Sequence, residues 1–152
     1  MLSEVVQCPF GTEAPTRPFG ERELDVAVDA SWSCGLAAIA YTSDMIGSRV
    51  VVRHYPSVDE AEMGAVLLAM NDARTAGHSE MVLGTDNRAA ALVDTLAPSA
   101  RPSTRAAATE IRSLLEQVPS WRLIHVPRAS TRKAHALAVK ELRPWRPRRF
   151  MA

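Results

Sequence analysis

The chain has 152 residues, of which 47% are apolar and 23% charged, and its formal net charge is +1. This is enough for one folded domain with a core, and the near-neutral charge excludes a partner chosen by bulk charge alone. The distribution of charge is less even, because nine basic residues from Arg122 onward stand against one acid, Glu141. The C-terminal part is therefore a candidate surface for phosphates.

The two cysteines, Cys8 and Cys34, do not form the C-x-x-C pair that is typical of a zinc site. A disulfide between them stays open, but reduced thiols in a cytoplasmic protein are the expected state. No apolar run approaches the roughly 20 residues that a membrane span needs. The first residues lack the basic and apolar regions of a secretory signal, so we expect a cytoplasmic protein without membrane contact.

Hydrophobic periodicity divides the chain into nine elements after a stretch rich in Pro and Gly. Their predicted order is three strands, a helix, a strand, two helices, a strand and a helix, over residues 24–29, 35–43, 49–55, 58–76, 80–86, 88–96, 104–118, 121–126 and 131–142. A strand meander followed by βαβ-type units predicts a mixed sheet covered by helices. The predicted divisions are an N-terminal arm (1–22), one domain (23–142) and a basic tail (143–152), which begins where Pro144 stops the last helix.

Two aspartates lie at predicted strand ends, where ligands gather in open α/β sheets. Asp29 ends the first predicted strand and Asp86 ends the fourth. The two side chains are therefore expected to converge. The alternative is that each one caps a strand or forms a turn, as Asp often does.

One glutamate falls inside an apolar helical stripe. On a helical wheel Glu62 lies at the centre of the stripe that contains Val66 and Ala73. Glu60 and Gly64 are predicted to face water on the opposite side. A buried carboxylate is costly unless it is paired or holds a metal. A neighbouring Arg or backbone amide is the alternative partner for Glu62.

The last helix places an ionisable ring on its apolar face. His135 falls between Val139 and Leu142 on the wheel, and Thr131 is placed to cap the helix start. Asp29, Glu62, Asp86 and His135 together favour a Mg²⁺ or Mn²⁺ site over a structural zinc site. A core histidine that bonds to a carbonyl or to Asp29 is the alternative for His135.

Four stretches in order resemble the ribonuclease H superfamily. The segment 28-VDASWSCGLAAIAY-41 resembles its first catalytic strand, 60-EAEMGAVLLAM-70 its AEL-x-A helix, 84-GTDNRAAALV-93 its TDS turn, and 126-VPRASTRKAHALA-138 its V-P-R-x-x-N-x-x-A-D-x-L-A motif. The resemblance covers about Leu24 to Leu142. It implies a five-stranded sheet of order 3-2-1-4-5 with helices on both faces.

The resemblance also implies an activity, namely hydrolysis of the RNA strand of RNA–DNA hybrids by a monomer that uses two Mg²⁺ or Mn²⁺ ions. The family's Asp, Glu, Asp and Asp correspond to Asp29, Glu62, Asp86 and position 135, where this chain has His. Other departures are Ala30 for Gly, Asn87 for Ser and Thr131 for Asn. Six residues are expected to contact nucleic acid: Ser31, Asn87, Arg88, Arg128, Arg132 and Lys133.

Two alternatives remain at this point. One is a nuclease of the same superfamily that acts on double-stranded RNA or on DNA. The other is a catalytically inactive nucleic-acid-binding module, which the His135 and Ala30 departures suggest. Cleavage that depends on a divalent cation distinguishes an enzyme from such a module.

Overall fold

Five strands form one mixed sheet in the order β3-β2-β1-β4-β5, which confirms the predicted strand order. The computed structural model describes residues 24–95 and 100–145. The strands are β1 (Val26–Ser33), β2 (Leu36–Ser43), β3 (Arg49–His54), β4 (Met81–Thr85) and β5 (Trp121–His125). The predicted N-terminal arm, Cys8, the loop at Pro98 and the tail arginines Arg146, Arg148 and Arg149 lie outside the described residues.

The first three strands form an antiparallel meander whose first turn is tight. Cys34 and Gly35 both have positive φ angles, 52° and 88°, as a two-residue hairpin turn requires. Because the turn falls there, β1 continues to Ser33 and Asp29 pairs with Ala40 of β2. The prediction that the first strand ends at Asp29 is therefore wrong, since hairpin pairing carries the strand four residues further.

The parallel part of the sheet determines where the two aspartates meet. β4 runs parallel to β1, and its last paired residue, Thr85, lies opposite Val28. Asp29 and Asp86 each follow this last pair, so they leave the parallel ladder side by side. The convergence predicted from strand ends thus arises from the end of β4 alone.

In the described residues four helices flank the sheet, and their bounds differ somewhat from the predicted ones. They are α1 (Val58–Thr75), α2 (Arg88–Ala91), α3 (Pro102–Gln117) and α4 (Arg132–Leu142), with short 3₁₀ turns at Val93–Thr95, Arg128–Thr131 and Arg143–Trp145. Pro102 opens α3 because the first helical position needs no backbone donor. Within the described ranges, no helix has the length and apolar character that a bilayer crossing requires.

The helices cover both faces of the sheet, as predicted. The larger core contains α1, α3 and the β2 residues Ala37, Ile39 and Tyr41, and the smaller cluster packs Ala38 and Ala40 against α4. This alternation is the period-two pattern of a strand that is buried on both faces.

The helix α1 lies between the sheet and α3, so it is buried around most of its circumference. Glu60 is only 4% exposed, and Gly64 is also buried. The prediction that both face water is therefore wrong. The Glu60 carboxylate instead accepts a hydrogen bond from the Ser57 hydroxyl, and the backbone amide of Glu60 donates to the oxygen of that hydroxyl. The wheel could not predict this burial, because the cover comes from outside the helix: the side chain of Tyr55 lies where a Cβ of Gly64 would be.

Candidate active site

Three carboxylates from three different elements meet at one end of the sheet. Asp29 lies in β1, Glu62 one turn into α1, and Asp86 directly after β4. Each offers an oxygen that lies within 4.8 Å of the other two. Asp29 and Glu62 are 3% and 7% exposed. We call this group the three-carboxylate site.

Burial and mutual repulsion disfavour the charged forms of these groups. Burial, followed by the charges of Asp29 and Asp86, raises the pKa of Glu62 to about 9. Burial, followed by the charge of Asp86, also raises the pKa of Asp29. The Glu62 Oε1 atom is buried and has no hydrogen-bond partner among the described residues. A buried oxygen without a partner is costly, so the site has an unmet requirement for positive charge.

The raised pKa of Glu62 predicts a pH dependence of stability when divalent cations are removed. Because the folded state binds this proton more tightly than the unfolded state, the stabilisation is full below the ordinary pKa of 4.5 and is lost as pH rises through about 9. Denaturant unfolding in a chelator should thus give a lower free energy of unfolding at pH 9 than at pH 6. Glu62→Gln should flatten this dependence; an equal dependence in the variant would contradict it.

His135 lies at the edge of this site and not in the core. Its side chain is 50% exposed, and its Nδ1 lies 2.7 Å from Asp29 Oδ2. The prediction that His135 is in the middle of the buried face is wrong, because α4 buries a narrower stripe of Ala134, Ala138 and Leu142. With Asp29 ionised, Nδ1–H must donate to the carboxylate. The bond to Asp29 that is expected for a core histidine is therefore present, but the ring that makes it is exposed.

The start of α4 also differs from the prediction. Thr131 precedes the helix, but its side chain makes no capping hydrogen bond. Its hydroxyl instead donates to the carbonyl oxygen of Arg128 at 3.3 Å. A 3₁₀ turn over Arg128–Thr131 leads into α4.

Asp86 is held by two groups in or just after β5. The Arg128 Nε atom lies 3.4 Å from Asp86 Oδ2, and the His125 Nε2 atom lies 3.2 Å from the Asp86 carbonyl oxygen. The sequence indicates only that His125 lies within a strand. The register explains its contact, because β5 ends with His125 opposite Thr85, immediately before Asp86.

The residues predicted to contact nucleic acid have several different environments. Four are exposed cations: Arg88, Arg128, Arg132 and Lys133. Ser31 is buried in β1, two residues beyond Asp29. Lys133 lines a depression of about 350 Å³ together with Asp25 and Ser43, and none of the three carboxylates lines it.

Asn87 uses its side chain within the protein. Its Oδ1 accepts from the Ala90 amide at 2.8 Å and so caps α2. Its Nδ2 donates to Asp59 Oδ1 in the first turn of α1 at 3.1 Å. Both ends of the amide are therefore engaged. Sequence reasoning did not find Asp59, because this contact joins residues 28 positions apart.

The three-carboxylate site fits a divalent cation. All three side chains offer oxygen, the ligand type that Mg²⁺ and Mn²⁺ prefer. The partnerless Glu62 oxygen and the raised pKa values of Asp29 and Glu62 are what a missing positive charge would produce. Asp29, Glu62 and Asp86 would hold the ion.

The fold and the position of these carboxylates define a class of protein. A mixed sheet of order 3-2-1-4-5, with acidic residues on β1, on α1 and after β4, is the architecture of the ribonuclease H superfamily. Residues 27–141 match the family described as reverse transcriptase-like. The chain belongs to this family, and the superfamily resemblance drawn from its motifs is confirmed.

Solved structures with the same fold are only distantly similar in sequence. Ribonuclease H1 from the halophilic archaeon Halobacterium salinarum is 21% identical with a TM-score of 0.70, covering 80% of this chain and 98% of that one. LC11 ribonuclease H1 in complex with an RNA/DNA hybrid is 16% identical with a TM-score of 0.64, and the coverages are 76% and 93%. At these identities the likeness establishes the fold.

The N-terminal ribonuclease H domain of a Mycobacterium tuberculosis protein, solved as a fusion with maltose-binding protein, is 17% identical with a TM-score of 0.62. The match covers 76% of this chain and 96% of that one. A search of curated proteins by sequence gave no match.

Proposed function

We propose that this protein is a divalent-cation-dependent endonuclease that hydrolyses the RNA strand of RNA–DNA hybrids. The observation that carries the proposal is the three-carboxylate site, whose oxygens lie within 4.8 Å of one another and include a buried oxygen without a partner. The fold it shares with an RNase H1 that was solved with an RNA/DNA hybrid supports the substrate. We propose that the protein acts as a monomer with two Mg²⁺ or Mn²⁺ ions.

The position of each site residue indicates the role that we assign to it. Two divalent cations, when bound, would supply activation of the attacking water and stabilisation of the leaving 3′ oxygen. An oxygen of Asp29 lies within 4.8 Å of oxygens of Glu62 and Asp86, and Asp29 also contacts His135 at 2.7 Å, so Asp29 would help to hold both ions. Glu62, Asp86 and His135 would supply the remaining protein ligands. Water adds to phosphorus and the bond to O3′ breaks, leaving a 5′-phosphate and a 3′-hydroxyl.

The exposed basic side chains would bind the substrate. Arg88 opens α2 and Arg132 opens α4, while Arg128 already contacts Asp86. These side chains would bind phosphates, and RNA would be distinguished through its 2′-hydroxyls along the shallow minor groove. Asn87 and Ser31 are also predicted to bind nucleic acid, but the amide of Asn87 is used within the protein.

A substrate panel tests the proposal. The purified protein is incubated with Mg²⁺ or Mn²⁺ and an RNA–DNA hybrid, double-stranded RNA, double-stranded DNA or single-stranded RNA of one sequence. We expect cleavage of the RNA strand of the hybrid and little cleavage of the others. Preferential cleavage of double-stranded RNA or of DNA would support a nuclease activity but contradict the proposed substrate.

A catalytically inactive binding module is the second candidate. The 2.7 Å contact of His135 with Asp29 favours it, because the ring already occupies an oxygen that a bridging carboxylate needs. Hybrid binding without cleavage under any cation, by a protein that binds the cation, would select this candidate.

The C-terminal tail is predicted to strengthen binding of the hybrid without contributing to its hydrolysis. We propose that residues 143–152 are a basic tail outside the domain. Truncation after Leu142 removes four arginines and none of the proposed ligands. Hybrid binding should weaken, and the slope of log affinity against log salt should flatten by roughly 0.9 for each phosphate that the shortened protein no longer binds. Binding titrations between about 50 and 200 mM salt measure this slope; an unchanged slope would mean that the tail binds no phosphate.

A further inference from the structure

We infer that Asn87 is a positioning residue that joins the two helix starts on either side of the three-carboxylate site, and not a contact to nucleic acid. The inference deepens the proposed function and rests on it. Its basis is one side chain that bonds in two directions at once, to Ala90 in α2 and to Asp59 in α1. We call the Asn87–Asp59 hydrogen bond the helix clamp.

The helix clamp connects the segments that supply two of the three carboxylates. Asp59 lies in the first turn of α1, three residues before Glu62. Asn87 follows Asp86 directly, and the backbone amide of Asn87 donates to the Thr85 hydroxyl oxygen at 3.2 Å. A movement of α1 away from the end of β4 would therefore break the clamp. The clamp thus restrains the separation of Glu62 and Asp86.

Two other hydrogen bonds of this turn go to β5 and the residue after it, not to α1. The Asp86 carbonyl oxygen is bonded to His125, and the Thr85 carbonyl oxygen accepts from the Val126 amide at 2.9 Å. Both of these bonds tie the end of β4 to the end of β5 or to the residue after it, and neither involves α1. Among the described side chains bonded to this turn, Asn87 is the one that reaches α1.

The clamp and the cap can be separated by one substitution. Asn87→Ser keeps an oxygen that caps α2, because Ser and Asn cap helices about equally well. It removes the amide donor and shortens the side chain, so the bond to Asp59 is lost. The serine that the resembling family carries here would cap α2 in the same way but could not form the clamp.

The experiment is a double-mutant cycle read by calorimetric titration with Mn²⁺. The proteins are the parent, Asn87→Ser, Asp59→Ala and the double variant. We expect Asn87→Ser to weaken cation affinity by roughly tenfold, as is typical for groups that orient ligands. In the Asp59→Ala background the same substitution should have little effect, because the clamp is already absent. The KM for the hybrid at saturating Mn²⁺ should be unchanged by Asn87→Ser.

The reciprocal exchange provides a second readout. Asn87→Asp combined with Asp59→Asn keeps the net charge and the cap and restores a donor facing an acceptor in the reverse direction. Its cation affinity should return to within about threefold of the parent, since one hydrogen bond is restored. Thermal unfolding of every variant controls for loss of fold.

The outcomes separate the inference from the proposed function. If Asn87→Ser leaves cation affinity intact and raises KM, the amide contacts nucleic acid and the inference is overturned. Equal losses of affinity with and without Asp59 would overturn it too. If the parent protein binds no Mn²⁺, the proposed function fails, whatever the variants do.

Discussion

Replacing Asp29 by Asn should lower the rate of hybrid cleavage by more than roughly a thousandfold, the equivalent of about 4 kcal/mol of lost transition-state stabilisation. Asp29 offers an oxygen within 4.8 Å of Glu62 and Asp86 and contacts His135 at 2.7 Å, so its loss removes the carboxylate that all three of these residues approach. The fold should persist, because Asn has nearly the same shape and no longer carries a buried charge. Single-turnover cleavage and unfolding curves measure the two effects.

The glutamates of α1 provide a matched pair for the same test. Glu62→Gln should abolish cleavage as Asp29→Asn does, and Glu60→Gln should leave the rate within about twofold of the parent, because a Gln can keep the capping arrangement with Ser57. Both glutamate side chains are buried in one helix, but only Glu60 bonds to Ser57. Loss of activity in Glu60→Gln with activity retained in Glu62→Gln would reverse the assignment of the ligand on α1.

His135 should decide which cation supports the reaction. If its ring ligates an ion, the parent should be more active with Mn²⁺ than with Mg²⁺, because a nitrogen ligand moves preference along the transition-metal series. His135→Asp should restore activity with Mg²⁺, because an aspartate offers the oxygen ligand that Mg²⁺ prefers.

The companion variant separates a ligand from a surface residue. His135→Ala should lower the rate by roughly 10- to 100-fold while keeping the fold, because the side chain is half exposed on α4. Rates across pH with each metal compare the three proteins. A His135→Ala protein that cleaves like the parent under every condition would show that the bond to Asp29 has no catalytic consequence.

The elements of this fold that depend on local pattern could be predicted from sequence. A mixed sheet covered by helices follows from strand periodicity and βαβ connections, whereas the strand order and the helices on both faces are implied by the resemblance of four motifs to the family. The meeting of Asp29 and Asp86 could be predicted, although β1 continues past Asp29 and only its parallel pairing with β4 ends there. Glu62 joins them because it lies in an apolar stripe. Their proximity is observed, whereas their catalytic roles stay predictions.

The features that sequence could not provide depend on contacts between distant segments. Gly64 is buried because the side chain of Tyr55 covers a side of α1 that the wheel assigned to water. His135 lies outside the core because α4 buries a narrower stripe than its apolar residues suggest. The contacts of Asp86 with His125 and Arg128 depend on where β5 ends. A side-chain pattern along one element contains none of this information.

The most direct test follows an RNA–DNA hybrid whose RNA strand carries a 5′ label. The protein is first stripped of cations with a chelator and dialysed, and Mg²⁺ or Mn²⁺ is then added back. The proposed function predicts no cleavage before the addition and internal cleavage of the RNA strand after it, with an intact DNA strand and 3′-hydroxyl ends. Cleavage that persists in chelator, or an RNA strand that stays intact with both cations while calorimetry shows that they bind, would contradict it.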